Sequence, residues 1–211
     1  VSAIEVGHTV ATTLADMKPD VCFNALHGRF GEDGCIQGVL ETLGIPYTHS
    51  GVLASAMAMD KPLAKKLYDT VGLPCVEGGG FHRDQILAGD VMTAPYVIKP
   101  LNEGSSVGVK IVTGDENELP FQSEAWHYGS EVLVERYVPG REVQVAVLDN
   151  KALGAIEIRP TKQFYDYEAK YSDGFAEHLM PAPIDKAVYD DVMQMAETAH
   201  KVLGCRGVTR T

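Results

Sequence analysis

Apolar positions fall in short unbroken runs separated by stretches in which they recur every three or four residues, and that alternation predicts the elements. DVCFNAL at 20–26 is a run of buried-strand type, and GEDGCIQGVLETLG behind it carries Ile36, Val39, Leu40 and Leu43 at helical spacing with Gly44 as a stop. IPYTHS at 45–50 predicts another short strand. SAMAMDKPLAKKLYDTVG predicts helix, with Pro62 marking a first turn or a break and Gly72 its end. Strand alternating with helix predicts a parallel sheet in this part of the chain.

After Leu73 the rhythm changes. LPCVEGGGF and PYVIKP flank a short helical stretch, HRDQILAG, while VGVKIVTG reads as an antiparallel partner of PYVIKP and EVLVERYV adds a further strand. REVQVAVLDN and KALGAIEIRP predict a hairpin turning at Asp149, Asn150 and Lys151. DKAVYDDVMQMAETAHKVLG predicts a helix whose apolar face is Val188, Val192, Met195, Ala199 and Leu203, a stripe read as core packing. The predicted class is α/β and α+β in three lobes: a parallel α/β lobe over 1–59, a small lobe over 60–137, and the start of a larger antiparallel lobe over 138–211. Lobes hinged in this way bind ligands between them.

With 211 residues and 45% hydrophobic content the chain can bury a core of one large or two small domains. Its 18 basic and 29 acidic residues give a formal charge of −11, which argues against a nucleic-acid surface, since phosphate backbones are gripped by Lys and Arg. Any anionic ligand must therefore be held by a few local cations and backbone amides. Cys22, Cys35, Cys75 and Cys205 lack metal-site or disulfide spacing, and free thiols in a reducing cytoplasm are expected. No apolar run approaches the roughly 20 residues of a membrane span, so no membrane association is expected. The chain begins at Val1 and stops in the β-branched segment RGVTRT, and it reads as a fragment.

Chemistry concentrates at three places. NEGSSVGV at 102–109 follows PYVIKP directly, and its residue types suit either a solvated turn or a concave anion site in which glycines align main-chain N–H groups and serines add donors. Lys99 ends an apolar strand, where an ammonium is costly unless it meets an anion, and Lys61 sits at another junction, either snorkelling to water or converging on the same site. Glu135, Arg136, Tyr137 and Val138 join two lobes, a segment type that either presents main chain to a nucleobase or carries a surface ion pair. In LHGRFGEDG, His27 is either structural or part of a site, while Glu32 and Asp33 are candidates to cap the following helix.

Taken together, LHGRFGEDG at 26–34, MDK at 59–61, VIKPLNEGSSVGV at 97–109, VLVERYVPGREVQV at 132–145, FYDYEAKY at 164–171 and GCRGVTR at 204–210 resemble the D-alanine–D-alanine ligases of the ATP-grasp superfamily. The likeness covers nearly the whole chain in the family's order. It implies an ATP-grasp fold of three lobes, two of them clasping the nucleotide, and ligation of two D-alanines through an acylphosphate for peptidoglycan precursors. By the same resemblance Lys61, Lys99 and Lys170 hold the ATP phosphates, with Glu103, Gly104, Ser105, Ser106 and Val107 forming a flap over them. Glu135, Arg136, Tyr137 and Val138 face adenine, Glu142 takes the ribose hydroxyls, and Phe164 and Tyr137 line the base pocket. Tyr171 pairs with Ser105 to close a lid that keeps water from the acylphosphate, His27 touches the first substrate, and Arg210 stabilises the oxyanion of bond formation. The resemblance also implies Mg2+ or Mn2+, with ligands expected beyond Thr211, so that the 211 residues alone are expected to be inactive. A homodimer is implied as well. Competing expectations are another ATP-grasp carboxylate–amine ligase, a D-alanyl-D-lactate ligase, or a nucleotide-binding module without catalysis.

Overall fold

The computed structural model describes residues 1–89, 91–104, 107–115, 119–122, 126–160 and 176–211. The chain opens with α1 (Val10–Met17), α2 (Cys35–Thr42), α3 (Val52–Met59) and α4 (Lys61–Asp69). Leu14 of α1, Ile36 and Leu40 of α2, and Ile45 shortly after α2 form the first core. The run at 20–26 does not extend into a strand. Its sheet contact is the isolated parallel bridge between Cys22 and Tyr47, and Val21 and Phe23 are exposed. A parallel strand needs neighbours to use its backbone groups and cover its faces, and one bridge does neither.

The helical stretch predicted across 55–72 breaks between Met59 and Lys61. Asp60 leaves helical geometry and its carboxylate accepts from Leu63 N at 3.0 Å, capping α4, while Pro62 occupies the first turn without an N–H to waste. The break places Lys61 at the first helical position. Gly72, at φ +71°, ends the stretch as expected.

Two antiparallel sheets follow. The first contains β1 (Gly78–His82), β2 (Tyr96–Pro100), β3 (Lys110–Val112) and β4 (Glu131–Arg136) in the order β1-β4-β2-β3, with α5 (Arg83–Leu87) between β1 and β2. PYVIKP and KIV pair antiparallel as the pattern predicted, Tyr96 opposite Val112. β4 lies between β1 and β2, which buries Val132, Leu133, Val134 and Glu135 in succession. The second sheet has β5 (Glu142–Leu148), β6 (Lys151–Pro160), β7 (Ala176–Leu179) and β8 (Val208–Arg210) in the order β7-β6-β5-β8, the β5–β6 hairpin turning at Asp149 and Asn150, both at positive φ.

α6 (Lys186–Val202) packs on this second sheet by part of the predicted stripe. Val192 meets the sheet and Ala199 and Leu203 are buried as predicted, but Val188 and Met195 are exposed, and Tyr189, Met193, Ala196 and His200 take inward places that the stripe did not include. Arg206 ties the last segment to the first lobe through Nε donating to His49 O at 2.9 Å.

Candidate active site

Three of the predicted site residues, Lys61, Lys99 and Glu135, lie on α4, β2 and β4, which meet here. Lys99 points from β2 and Glu135 from the adjoining strand β4, and Lys99 Nζ forms an ion pair with Glu135 Oε2. Lys65, one turn beyond Lys61 on α4, pairs with Glu135 Oε1 at 2.6 Å and also donates to Val76 O at 2.5 Å. Glu135 is 8% exposed, so one buried carboxylate carries an ammonium on each oxygen. Burial pushes this carboxyl's pKa up, but the hydrogen bonds of Lys65 and Lys99 outweigh it and hold Glu135 below the usual carboxylate range.

Lys61 stands at the edge of this group and reaches the glycine-serine loop. Its ammonium donates to Pro100 O at 3.2 Å, Leu101 O at 3.1 Å and Glu103 O at 2.5 Å, which engages all three of its N–H groups. Burial, and then the neighbouring charge of Lys99, push its pKa down to about 8. A lysine at the first position of a helix also adds to the positive end of the helix dipole, where an anion is the favoured occupant. Three ammonium groups thus gather around the carboxylate of Glu135, with Glu103 and Asp60 as further acidic neighbours of Lys61.

Val107 N donates to Gly104 O at 3.1 Å, and a Cβ on Gly104 would lie 3.6 Å from Gly28 Cα, so Gly104 approaches the LHGR turn of the first lobe. Asp60, Leu101 and Glu103 line a cleft of about 580 Å³ together with Arg29, Asp33 and Tyr128. The LHGRFGEDG turn is built by its own carboxylates. Glu32 Oε2 accepts from Gly28 N at 2.5 Å, and Asp33 accepts from Phe30 N at 2.8 Å and from Cys35 N, the first amide of α2, at 3.0 Å. His27, exposed, lines a neighbouring cavity of about 420 Å³ with Leu26, Phe30 and Ile36.

The other predicted residues are more dispersed. Arg136 is exposed and pairs with Glu77, its Nη2 2.5 Å from Oε2, a surface ion pair. The amide of Arg136 donates to Glu77 O at 2.9 Å and that of Tyr137 to Pro95 O at 3.3 Å, so both are engaged within the protein. Val138 is exposed beside them, and Glu142 opens β5 with an exposed side chain. Arg210 lies on the other sheet, on β8 opposite Ala146. Ser105, Ser106, Phe164, Lys170 and Tyr171 lie outside the described residues. Lys65 was missed in the sequence because no motif marks it. The four-residue spacing from Lys61 was its one signal.

Residues 67–211 match the family model described as D-ala D-ala ligase C-terminus, and residues 4–50 match that described as D-ala D-ala ligase N-terminus. A D-alanine–D-alanine ligase of Rhodospirillum rubrum is 50% identical over the whole chain, which spans 70% of that protein. Among solved structures, a D-alanine–D-alanine ligase from Bacillus anthracis is 34% identical with a TM-score of 0.77, over 94% of this chain and 67% of that one. The same ligase complexed with ATP is 33% identical with a TM-score of 0.75, over 95% of this chain and 66% of that one. With both family models matched in order and an ATP-grasp architecture shared with these structures, the chain belongs to the D-alanine–D-alanine ligase family.

Proposed function

We propose that this chain forms the ATP-binding cleft of an enzyme that joins two D-alanine molecules to D-alanyl-D-alanine for the bacterial cell wall. The observation that carries the reading is the set of Lys61, Lys65 and Lys99 around the single buried carboxylate of Glu135, beside the loop at 102–109. A polyphosphate offers Lys61 and Lys99 a strongly anionic partner. In the reaction, a carboxylate oxygen of the first D-alanine attacks the γ-phosphorus of ATP and ADP leaves. The amine of the second D-alanine then attacks the acyl carbon, phosphate departs and the amine loses a proton. Phosphoryl transfer depends mainly on positioning and charge neutralisation, which is what Lys61 and Lys99 offer.

Adenine is assigned to the segment at 135–138. Because the Arg136 and Tyr137 amides are engaged, the base would meet the main chain of Val138 and the ring of Tyr137. Glu142 would take the ribose hydroxyls, His27 the first substrate, and Arg210 the oxyanion, a role suited to a permanently charged fork. The family's Mg2+ or Mn2+ does not fit the described residues, among which no group of three or more His, Cys, Asp or Glu is placed to hold a metal ion. No step is assigned to it. Among the described residues no helix is long and apolar enough to cross a membrane, and the cysteines are free. A cytoplasmic homodimer accords with the family resemblance. The matched relatives are named for the dipeptide product, which favours D-alanine over D-lactate as second substrate.

The test is a coupled phosphate-release assay on the native protein with ATP and D-alanine, D-lactate or L-alanine. Release with D-alanine and not with L-alanine is expected. Equal rates with the two enantiomers, or no release with D-alanine, would overturn the proposal.

A further inference from the structure

We propose that Lys65 is a positioning residue of the nucleotide site: by holding Oε1 of Glu135, it lets the Lys99 ammonium leave Oε2 for an incoming phosphate without stranding a buried carboxylate. This rests on the reading of the cleft as an ATP site.

Glu135 sits mid-sheet with β1 on one side and β2 on the other. The charged groups facing it are Lys65 and Lys61 from α4 and Lys99 from β2, while β1 presents Gly78, which has no side chain. On its own strand, Arg136 is turned to solvent and paired with Glu77. Lys65 and Lys99 grip the same carboxylate but are anchored differently. Lys65 is fixed from behind by Val76 O, in the segment that leads into β1, whereas Lys99 rises from the strand that runs into the glycine-serine loop.

An ammonium that moves to a phosphate must give up its former partner. If Lys99 were the sole counterion, its departure would leave a buried, unpaired carboxylate beside a polyanion, the arrangement that costs most in a protein interior. Lys65 removes that cost by staying. It needs no contact with the nucleotide and acts through the state in which it keeps Glu135.

ATP affinity, measured by titration calorimetry on the native protein without D-alanine, tests this. Lys65→Met is expected to weaken ATP binding at least tenfold at pH 8. Lys65→Arg, which keeps the cation, should stay within threefold and guards against a folding defect. In a Glu135→Gln background, where no charge can be stranded, adding Lys65→Met should cost less than threefold. Affinity unchanged by Lys65→Met, or a loss undiminished in the Glu135→Gln background, would overturn the inference while leaving the ATP site in place. An unaltered protein that binds no ATP would remove both.

Discussion

Lys61 Nζ donates to the main-chain oxygen of Glu103 at 2.5 Å, so the first residue of α4 holds the start of the glycine-serine loop from below. Pro100 and Leu101 give their carbonyls to the same ammonium, and Lys61 N adds a 3.4 Å bond to Leu101 O. The lysine thus has two partners to choose between, the loop's stem and an anion. Lys61→Met should free three carbonyls and remove one positive charge beside Lys99. We expect ATP affinity to fall at least tenfold, about 1.4 kcal/mol, with faster amide exchange at 101–104. Unaltered exchange with weakened ATP binding would assign Lys61 to the nucleotide and not to the loop.

The same residue predicts a pH dependence of stability. Burial, then Lys99, lower its folded pKa to about 8, against an ordinary 10.5. Between those values the unfolded chain keeps a proton that the folded protein has released, so stability rises with pH there, and below about pH 8 the burden of the buried charge is fully present. Denaturant titrations of the unaltered protein and Lys61→Met should therefore diverge between pH 7.5 and 10, the unaltered protein gaining relative to the variant. Parallel curves would mean that the ammonium is not desolvated in solution.

Most of this architecture was legible in the sequence where a single local signal was sufficient. The β5–β6 hairpin declared itself by alternation on either side of Asp149 and Asn150, and the β2–β3 pair by two apolar runs around a glycine-rich loop. Lys99 stood out as a cation ending an apolar strand, whereas Lys61, at a junction where it could equally snorkel to water, was singled out through the family resemblance. What failed depended on long-range packing. Val188 and Met195 obey helical spacing, yet the sheet selects a face that keeps Val192, Ala199 and Leu203 of that stripe and replaces those two by Tyr189, Met193 and Ala196. Glu135 and Lys65 are 70 positions apart, and nothing local in either announces the other.

Gly78 shows how tightly that pairing constrains its surroundings. It faces Glu135 across the β1–β4 ladder at φ +147°, and a Cβ there would lie 2.1 Å from Val134 O and 2.7 Å from Glu135 Cα. Both obstacles are backbone of the central strand, which cannot yield without disturbing the carboxylate it carries. Gly78→Ala should destabilise the protein by about 2–4 kcal/mol and weaken ATP binding. Gly79→Ala, whose Cβ would meet its nearest neighbour, the Phe81 ring, at 3.8 Å, should be much milder. Equal melting temperatures for the two variants would show that β1 is not held at this register.

Glu157 makes a prediction about acid. It lies on β6, 2% exposed, and Arg141 grips both its oxygens at 2.6 and 2.7 Å while Arg159 reaches one at 2.8 Å. Arg141 also donates to Pro183 O at 2.9 Å, tying the start of the second sheet to the segment before α6. The Arg141 hydrogen bonds first, and those of Arg159 second, lower the folded pKa of Glu157 to about 2, from an ordinary 4.5. A depressed carboxyl contributes stability that is fully present above pH 4.5 and is lost as pH falls from there towards 2. Glu157→Gln keeps the shape and removes the charge, so it should melt below the unaltered protein at pH 7, and the gap should close progressively between pH 4.5 and 2. A gap that stays constant over that range would assign the loss to altered hydrogen-bond geometry, since the charge that Arg141 and Arg159 share would then contribute nothing to the fold.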